Sequence, residues 1–257
     1  MDTKKLLVRV TGCCLLLALG LLMGAAPGET ERGDLDGRFA DVAMRKEYGG
    51  ETYYRRSRVS AVMVTGVLPD ATDGQPRTDF AVLFAIDDNE RRITPVYIDG
   101  STIVAAEGNL LPLREVYALG EDPEENCRRM VAAVDGLLGG ALIESFVAVD
   151  LDGVTMIAEF SKLEGDARER LHLLRLALEN IPSKQLNRMY GAISEYLTTD
   201  MKSGAVMRLL DKTDRYEIAG TVDLPTLPAE SEDGTLAPDG ARILELVIEL
   251  FYSTELF

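Results

Sequence analysis

The chain has 257 residues, which is enough for one large domain or two small ones with a real hydrophobic core. Because 46% of the residues are hydrophobic and 27% are charged, the composition excludes a disordered, collagen-like or disulfide-rich chain. The formal net charge of -16 comes from 27 basic and 43 acidic residues, and such a surface repels the phosphates of nucleic acid.

The N-terminal segment differs in kind from the rest of the chain. Lys4, Lys5 and Arg9 precede an uncharged run over residues 10–26, which is just long enough to cross a hydrocarbon core of about 30 Å. Acidic residues follow the run, so the positive-inside rule places the N-terminus in the cytoplasm. We therefore predict a signal anchor over residues 1–27, a single-pass protein of the cell membrane and an extracellular C-terminal part. A cleaved signal peptide is the alternative, and it also predicts export.

The exported part is predicted to be a stalk followed by one folded domain. Residues 28–56 are polar and charged, which indicates a juxtamembrane stalk, and residues 57–257 form the domain. Cys127 is the single cysteine after residue 27, so no internal disulfide can form there. His172 is the only histidine, which excludes a histidine-rich metal cluster. The fold must therefore depend on core packing.

The first part of the domain has the pattern of buried strands. Residues 59–67 and 80–86 are apolar and β-branched, and the loop 69–77 between them is rich in Pro, Asp and Gly. Residues 92–98 alternate well enough to form a hairpin with the preceding strand.

Helices and strands then alternate to the end of the chain. Asp122, followed by Pro123 and by Glu125, is typical of a helix start, and this helix ends at Gly139-Gly140. The remaining predicted elements are a strand at 143–151, helices at 152–160, 167–180, 183–197 and 203–211, a strand at 216–224, a loop at 225–240 and a helix at 241–252. The order predicts an α/β fold with a mixed central sheet sandwiched between helices, preceded by one transmembrane helix.

Charged side chains gather at the ends of the first predicted strands. Asp70 and Arg77 lie in the first loop, Asp79 begins the second strand and Asp99 ends the third. Carboxylates at such a sheet edge would hold Mg²⁺ through hard oxygen ligands. The other interpretation is that they are solvated loop acids, because a chain with 43 acidic residues places several in any loop.

Arginines also cluster in the predicted helix 167–180. Arg168, Arg170 and Arg175 have the planar guanidinium that binds phosphate through two hydrogen bonds. Alternatively, they are surface charges interleaved with neighbouring glutamates. We expect His172, among leucines, to be a packed helical side chain, and Cys127 to be a small buried hydrophobe.

Several short motifs occur in a specific order. They are VTGV at 64–67, RTDF at 77–80, ID at 86–87, PVYID at 95–99, YALG at 117–120, ENC at 125–127, FVAVDLDG at 146–153, RER at 168–170 and LVIELFY at 246–252. In this order and spacing they resemble the LytR-CpsA-Psr (LCP) family, from about residue 50 to the C-terminus.

The resemblance implies a membrane-anchored extracytoplasmic phosphotransferase of cell-wall biogenesis. Such enzymes transfer glycopolymers from a polyprenyl-pyrophosphate lipid to peptidoglycan, with Mg²⁺ on two aspartates. The implied roles are metal binding for Asp79, catalysis for Arg77 and Asp99, and pyrophosphate binding for Arg168 and Arg170.

The chain departs from the family pattern at important positions. Leu68 stands where the family has its first metal aspartate, and Ile98 stands where it has a pyrophosphate-binding arginine. The arginine-rich loop before the helix that carries Arg168 is missing. We expect Asp70 to be the substitute metal ligand, if Mg²⁺ binds at all.

These departures predict an LCP-like protein with weak or no activity. It would act by binding a lipid-linked precursor, wall polymer such as peptidoglycan, or an active paralogue. Two alternatives stay open: an active Mg²⁺-dependent phosphotransferase with a rearranged site, and a structural or sensory ectodomain without a ligand.

Overall fold

The computed structural model describes residues 45–70, 73–140, 142–160, 194–202, 215–229 and 234–255, with the single positions 205, 208 and 212. The predicted anchor, the first part of the predicted stalk and the predicted helix 167–180 lie outside the described residues. Within the described residues, no helix has both the length and the apolar character needed to cross a membrane.

The elements of the N-terminal half are mostly strands. They are β1 (Arg45–Tyr48), β2 (Glu51–Arg55), β3 (Val59–Gly66), β4 (Leu68–Pro69), β5 (Pro76–Arg77), β6 (Phe80–Asp87), β7 (Arg92–Asp99), β8 (Ile103–Ala106), β9 (Asn109–Pro112), α1 (Leu113–Val116), a 3₁₀ turn (Tyr117–Leu119) and α2 (Pro123–Leu137).

The C-terminal half contains shorter strands and the last helix. They are β10 (Ser145–Val149), α3 (Leu151–Phe160), a 3₁₀ turn (Ser194–Tyr196), β11 (Leu197–Thr199), β12 (Glu217–Ile218), β13 (Val222–Asp223), β14 (Thr226–Pro228), β15 (Leu236–Pro238), α4 (Gly240–Phe251) and β16 (Tyr252–Ser253).

A mixed sheet forms the centre of the molecule, as the sequence predicted. Its strand order is β11-β10-β3-β6-β7-β12, and β13 also pairs with β7. The three long strands β3, β6 and β7 are antiparallel neighbours. In contrast, β10 runs parallel to β3, while β12 and β13 run parallel to β7. The carboxyl ends of β3, β7 and β10 therefore lie at one edge of the sheet.

Two helices cover one face of this sheet. Alternate side chains of the strands point to that face, because a strand has a side-chain period of two. The strand residues in this core are Val59, Ala61, Met63, Ala81, Leu83, Ala85, Val96, Ile98, Phe146 and Ala148, and the helical ones include Met130, Val134, Ile243, Val247 and Phe251. The side chains at the intervening strand positions, such as Val64 and Phe84, are buried as well.

The chain ends meet in a second, smaller sheet. Strands β1 and β2 form an antiparallel hairpin, and β16 pairs with β2 through Tyr252↔Arg55 and Ser253↔Tyr54. This hairpin lies in the segment 28–56 for which the sequence indicated a stalk. Its residues are largely polar, and they form strands because the last residues of the domain give them a partner.

Most of the long predicted elements are confirmed with small shifts of their ends. The predicted helix start at Asp122 is confirmed, since the Asp122 side chain accepts a hydrogen bond from the Glu125 N–H at 2.8 Å. The predicted helix 152–160 is confirmed as α3, which begins one residue earlier, and the Asp150 side chain accepts a capping hydrogen bond from the Gly153 N–H at 2.9 Å.

The short elements differ more from the predictions. The predicted loop 69–77 contains the hairpin β4–β5, and the predicted loop 225–240 contains the hairpin β14–β15. The predicted strand 216–224 is divided into β12 and β13. The predicted helices 183–197 and 203–211 lie largely outside the described residues, and at the end of the first one residues 194–196 form a 3₁₀ turn and residue 197 begins β11. Strands of two or three residues are too short to give a periodic signal.

Candidate functional site

The structure brings two of the predicted site residues to the same edge of the central sheet. Asp79 directly precedes β6 and Asp99 ends β7, and the register pairs Phe80 with Asp99. Strand β3 ends at this edge as well, because Thr65 pairs with Ala81. We call the group formed by Arg77, Asp79 and Asp99 the edge cluster.

The Arg77 guanidinium of the edge cluster forms ion pairs with two aspartates. Its Nη2 atom lies 2.7 Å from Asp73 Oδ2, and its Nη1 atom lies 3.5 Å from Asp70 Oδ2. The short hairpin β4–β5 brings these groups together, since Pro69 pairs with Pro76. An anionic ligand would therefore have to compete with two aspartates for this guanidinium.

Asp79 lies between two residues of a buried hydroxyl network, and its backbone makes a close contact with the turn after β7. The hydroxyls of Thr65 and Thr78 lie within hydrogen-bonding distance of each other, and each lies 2.7 Å from the Phe80 carbonyl oxygen, so one hydroxyl can donate to the other while the second donates to this carbonyl. Asp79 is half-buried, and its Oδ2 atom is shielded from solvent. Its backbone carbonyl accepts a hydrogen bond from the Gly100 N–H at 2.8 Å. The backbone on either side of the Asp79 side chain is therefore fixed.

Asp99 serves the turn that follows β7. Its Oδ1 atom accepts hydrogen bonds from the Ser101 N–H at 2.8 Å and the Ser101 hydroxyl at 2.5 Å. Its carbonyl oxygen accepts another from the Thr102 N–H at 3.0 Å. These bonds stabilise the turn, and they occupy one of the two carboxylate oxygens.

Leu68 and Ile98 are part of the apolar interior. Leu68 is 6% exposed and Ile98 is fully buried. Ile98 points toward the face that α2 and α4 cover, where it belongs to the main core. A charged side chain at this position would be buried among apolar groups without a partner. The structure thus places hydrocarbon where the resemblance implied a metal ligand and a phosphate-binding arginine.

The described residues contain no grouped set of metal ligands. Asp70 pairs with Arg77, and in the described part of the chain no three acidic, histidine or cysteine side chains are placed to hold a metal ion. Mg²⁺ prefers about six oxygen ligands in a regular octahedron, and it usually needs at least one or two carboxylates. Arg168 and Arg170 lie outside the described residues.

A carboxylate that the sequence analysis did not select lies at the same edge. Asp150 directly follows β10, which runs parallel to β3. Loss of hydration raises the pKa of Asp150 above its ordinary value, although the hydrogen bond from the Gly153 N–H opposes this rise. The available signal was an acidic residue directly after a buried strand, the position at which parallel sheets bind ligands.

Cys127 confirms the prediction of a small buried hydrophobe. Its side chain is fully buried in α2, in the core beneath the sheet. Burial raises the pKa of the Cys127 thiol to about 12, so the thiol stays protonated at neutral pH. A nucleophilic role for this cysteine is therefore unsupported by its surroundings.

The fold of this chain is similar to that of several solved structures. Bacillus subtilis TagV is 14% identical, with a TM-score of 0.54 over 76% of this chain and 97% of that one. Protein gbs0355 from Streptococcus agalactiae is 11% identical, with a TM-score of 0.60 over 76% and 87%. Bacillus subtilis TagU is 11% identical, with a TM-score of 0.51 over 76% and 96%.

Comparison of the sequence with known proteins found no match. No protein-family model matches the chain, and no curated protein does. TagV and TagU are LCP-family structures. At these identities the similarity concerns the fold, and the described chain therefore has an LCP-like α/β fold with a mixed central sheet.

Proposed function

We propose that this protein is an LCP-like protein of the cell envelope that binds a polyprenyl-pyrophosphate-linked glycopolymer precursor and has little or no transfer activity. The observation that carries the proposal is the burial of Ile98 and Leu68 within an LCP-like fold. The fold supports a relation to glycopolymer transfer, and the two buried side chains support the loss of the chemical step.

The size of the loss follows from the missing contacts. A charge-assisted contact is worth about 1.5–3 kcal/mol. Two such contacts to the transition state, one from a metal aspartate and one from an arginine, correspond to about 3–6 kcal/mol and to a rate lower by about two to four orders of magnitude. The pairing of Arg77 with Asp70 and Asp73 lowers the remaining attraction for a phosphate further.

Binding without transfer would depend on the arginines of the predicted helix 167–180. We assign Arg168 and Arg170 to the pyrophosphate because Arg77 already has two carboxylate partners. The edge cluster contributes carboxylates, which repel a pyrophosphate unless a cation lies between them. We propose no step through Mg²⁺, since no three acidic, histidine or cysteine side chains of the described residues are grouped to hold it.

The test is calorimetry of the full chain in detergent micelles with a polyprenyl pyrophosphate. We expect binding of similar strength in Mg²⁺ and in EDTA, and we expect R168A/R170A to weaken it by about tenfold or more. The control is R128A/R242A, which removes the same charge from exposed surface positions. A parallel assay with a lipid-linked glycopolymer and peptidoglycan should detect no transfer.

Two results would replace the proposal by one of the alternatives. Transfer that D79N abolishes would show an active phosphotransferase with a rearranged site. Absence of binding in both Mg²⁺ and EDTA would favour an ectodomain that has no lipid-linked ligand.

A further inference from the structure

Two short hairpins lie side by side next to the edge cluster. The hairpin β8–β9 begins just after the turn that Asp99 stabilises, and β14–β15 comes later in the chain. A bridge between Thr102 and Leu236 joins the two hairpins, and the Leu236 N–H donates to the Ser101 carbonyl oxygen at 3.0 Å. The four strands therefore lie in the order β9-β8-β15-β14.

The inner face of these hairpins packs on the domain. Val104 is 2% exposed and belongs to the main core, and Thr102, which lies on the same face two residues earlier, is fully buried. Leu236 shares this face, because residues paired across a β bridge point to the same side. The residues at the intervening positions of the four strands therefore point outward.

The outer face has apolar side chains at all of its described strand positions. Ladder pairing places Ala105 beside Leu110 and Leu227 beside Ala237. Leu110 is 74% exposed and Leu227 is 54% exposed, and among the described large hydrophobic side chains only Tyr48 is exposed besides these two. We call the following six residues the apolar face: Ile103, Ala105, Leu110, Pro112, Leu227 and Ala237.

The size of the apolar face argues against a second copy of the chain as its partner. Three strand spacings give a width of about 14 Å, and four residues give a length of about 13 Å. The resulting area of about 180 Å² is far below the roughly 800 Å² that each partner buries in a stable protein interface. A wider contact would also bring together two surfaces of a chain whose net charge is -16.

A lipid surface fits the apolar face better, because a tethered domain needs only a weak contact. Residues 28–44, between the predicted anchor and β1, span at most about 60 Å. A domain of about 200 residues is about 40 Å across, so this length allows either end of the sheet to face the bilayer. The anchor would raise the local concentration of the apolar face at the lipid, so that a few apolar side chains suffice for contact. The uncharged face also brings no carboxylate into the lipid.

We propose that the apolar face contacts the lipid bilayer, with Leu110 and Leu227 entering the acyl-chain boundary, and so turns the edge cluster toward the membrane surface. The proposal goes beyond the function proposed above. It uses the predicted anchor as the tether, and it needs neither precursor binding nor transfer.

The experiment uses the absence of tryptophan from the chain. L110W and L227W each introduce a single tryptophan on the apolar face. N89W is the control, in the exposed turn between β6 and β7 at the opposite end of the sheet. The full-length variants are placed in phosphatidylcholine nanodiscs made with ordinary lipid or with lipid brominated on its acyl chains, and no precursor is added. Because bromine quenches a tryptophan only on close contact, we expect brominated lipid to quench the emission of L110W and L227W and to leave that of N89W unchanged.

A second pair of variants tests whether the two hairpins act as one face. In the L110W chain, L227D places a carboxylate on the apolar face and should remove most of the quenching, since a charge is costly to move into hydrocarbon. L227M in the same chain keeps an apolar side chain of similar volume and should retain the quenching. Because Leu227 is 54% exposed, neither substitution changes the core.

Four results would overturn the proposal. Emission of L110W and L227W that does not respond to brominated lipid would show that the apolar face points to water. Equal quenching of N89W would show that the domain has no fixed orientation on the bilayer. A blue shift of L110W that depends on protein concentration in detergent micelles, without quenching by brominated lipid, would assign the face to a second copy. Chains that do not elute with the nanodiscs would lack the tether on which the contact depends.

Discussion

Gly100 follows β7, and its N–H donates to the Asp79 carbonyl oxygen at 2.8 Å. A Cβ atom at this position would lie 2.6 Å from that oxygen and 2.8 Å from the Thr78 carbonyl oxygen. Both neighbours are backbone atoms, which cannot rotate away as a flexible side chain would. The missing side chain of Gly100 therefore permits the close approach that positions Asp79 in the edge cluster.

Replacing Gly100 with alanine should lower the free energy of unfolding by about 1–3 kcal/mol, because the added methyl group displaces the backbone of residues 78 and 79. Gly136→Ala is the matched control. Gly136 lies in α2, and a Cβ there meets no atom within 4 Å. This substitution should stabilise the protein by about 0.5–1 kcal/mol. Urea denaturation of both variants measures the difference, and equal stabilities would show that the turn after β7 tolerates a side chain.

At the scale of single residues, the sequence predicted where the site side chains lie in the sheet, but it did not predict which residues form ion pairs with them. Asp79 and Asp99 were predicted at one sheet edge because each stands at the end of a strongly apolar strand. The pairing of Arg77 with Asp70 and Asp73 was not predicted, since it depends on a hairpin with two residues in each strand. Such a hairpin leaves no periodic pattern in the sequence.

At the scale of elements, the hairpin β1–β2 connects the start of the described chain to its end. Lys46 Nζ donates to the Gly139 carbonyl oxygen at 3.2 Å and lies 5.7 Å from the centre of the Tyr252 ring. The Tyr48 hydroxyl donates to Glu245 on α4. The hairpin is thus fixed to α4 and to the end of α2. The sequence did not predict this hairpin, because its residues are polar and β2 pairs with a strand about two hundred residues later in the chain.

Phe251→Ala tests whether this small sheet unfolds together with the central one. Phe251 is 1% exposed, ends α4 and carries the Arg55 guanidinium on its ring. Its truncation should cost about 3–5 kcal/mol in urea denaturation. It should also increase hydrogen exchange in both β1–β2 and β3, because the two sheets share this side chain.

The neighbouring half-buried position provides the control. Leu250→Ala should cost clearly less, since part of that side chain is already in water. If Phe251→Ala exposed only the hairpin to exchange and left the amides of β3 protected, the small sheet would be a separate unit of lower stability.

At the scale of the whole molecule, the excess of acidic groups acts on every carboxylate. With a net charge of -16, the compact state is opposed by self-repulsion. Two aspartates near the sheet are also destabilised in their charged form by the loss of hydration. Loss of hydration raises the pKa of Asp150 and of Asp200, and the hydrogen bond from the Phe146 N–H to Asp200 at 2.9 Å only partly offsets it.

The sign of the resulting pH dependence follows from these raised pKa values. A carboxyl group with a higher pKa in the folded state binds its proton more tightly there than in the unfolded chain. Its contribution to stability is therefore complete below the unfolded value of about 4 and is lost as the pH rises through the folded value. Both this effect and the reduced repulsion make the protein more stable at pH 5 than at pH 7.

Thermal unfolding at low ionic strength should accordingly give a higher Tm at about pH 5 than at pH 7. Salt should reduce the difference, because it screens the long-range repulsion and leaves the local hydration cost of Asp150 and Asp200. In Asp200→Asn, whose amide oxygen can still accept from the Phe146 N–H, the remaining difference in high salt should be smaller than in the unaltered protein. A Tm that falls between pH 7 and pH 5 would mean that carboxylates in ion pairs, such as Asp87 with Arg56, dominate the pH dependence instead.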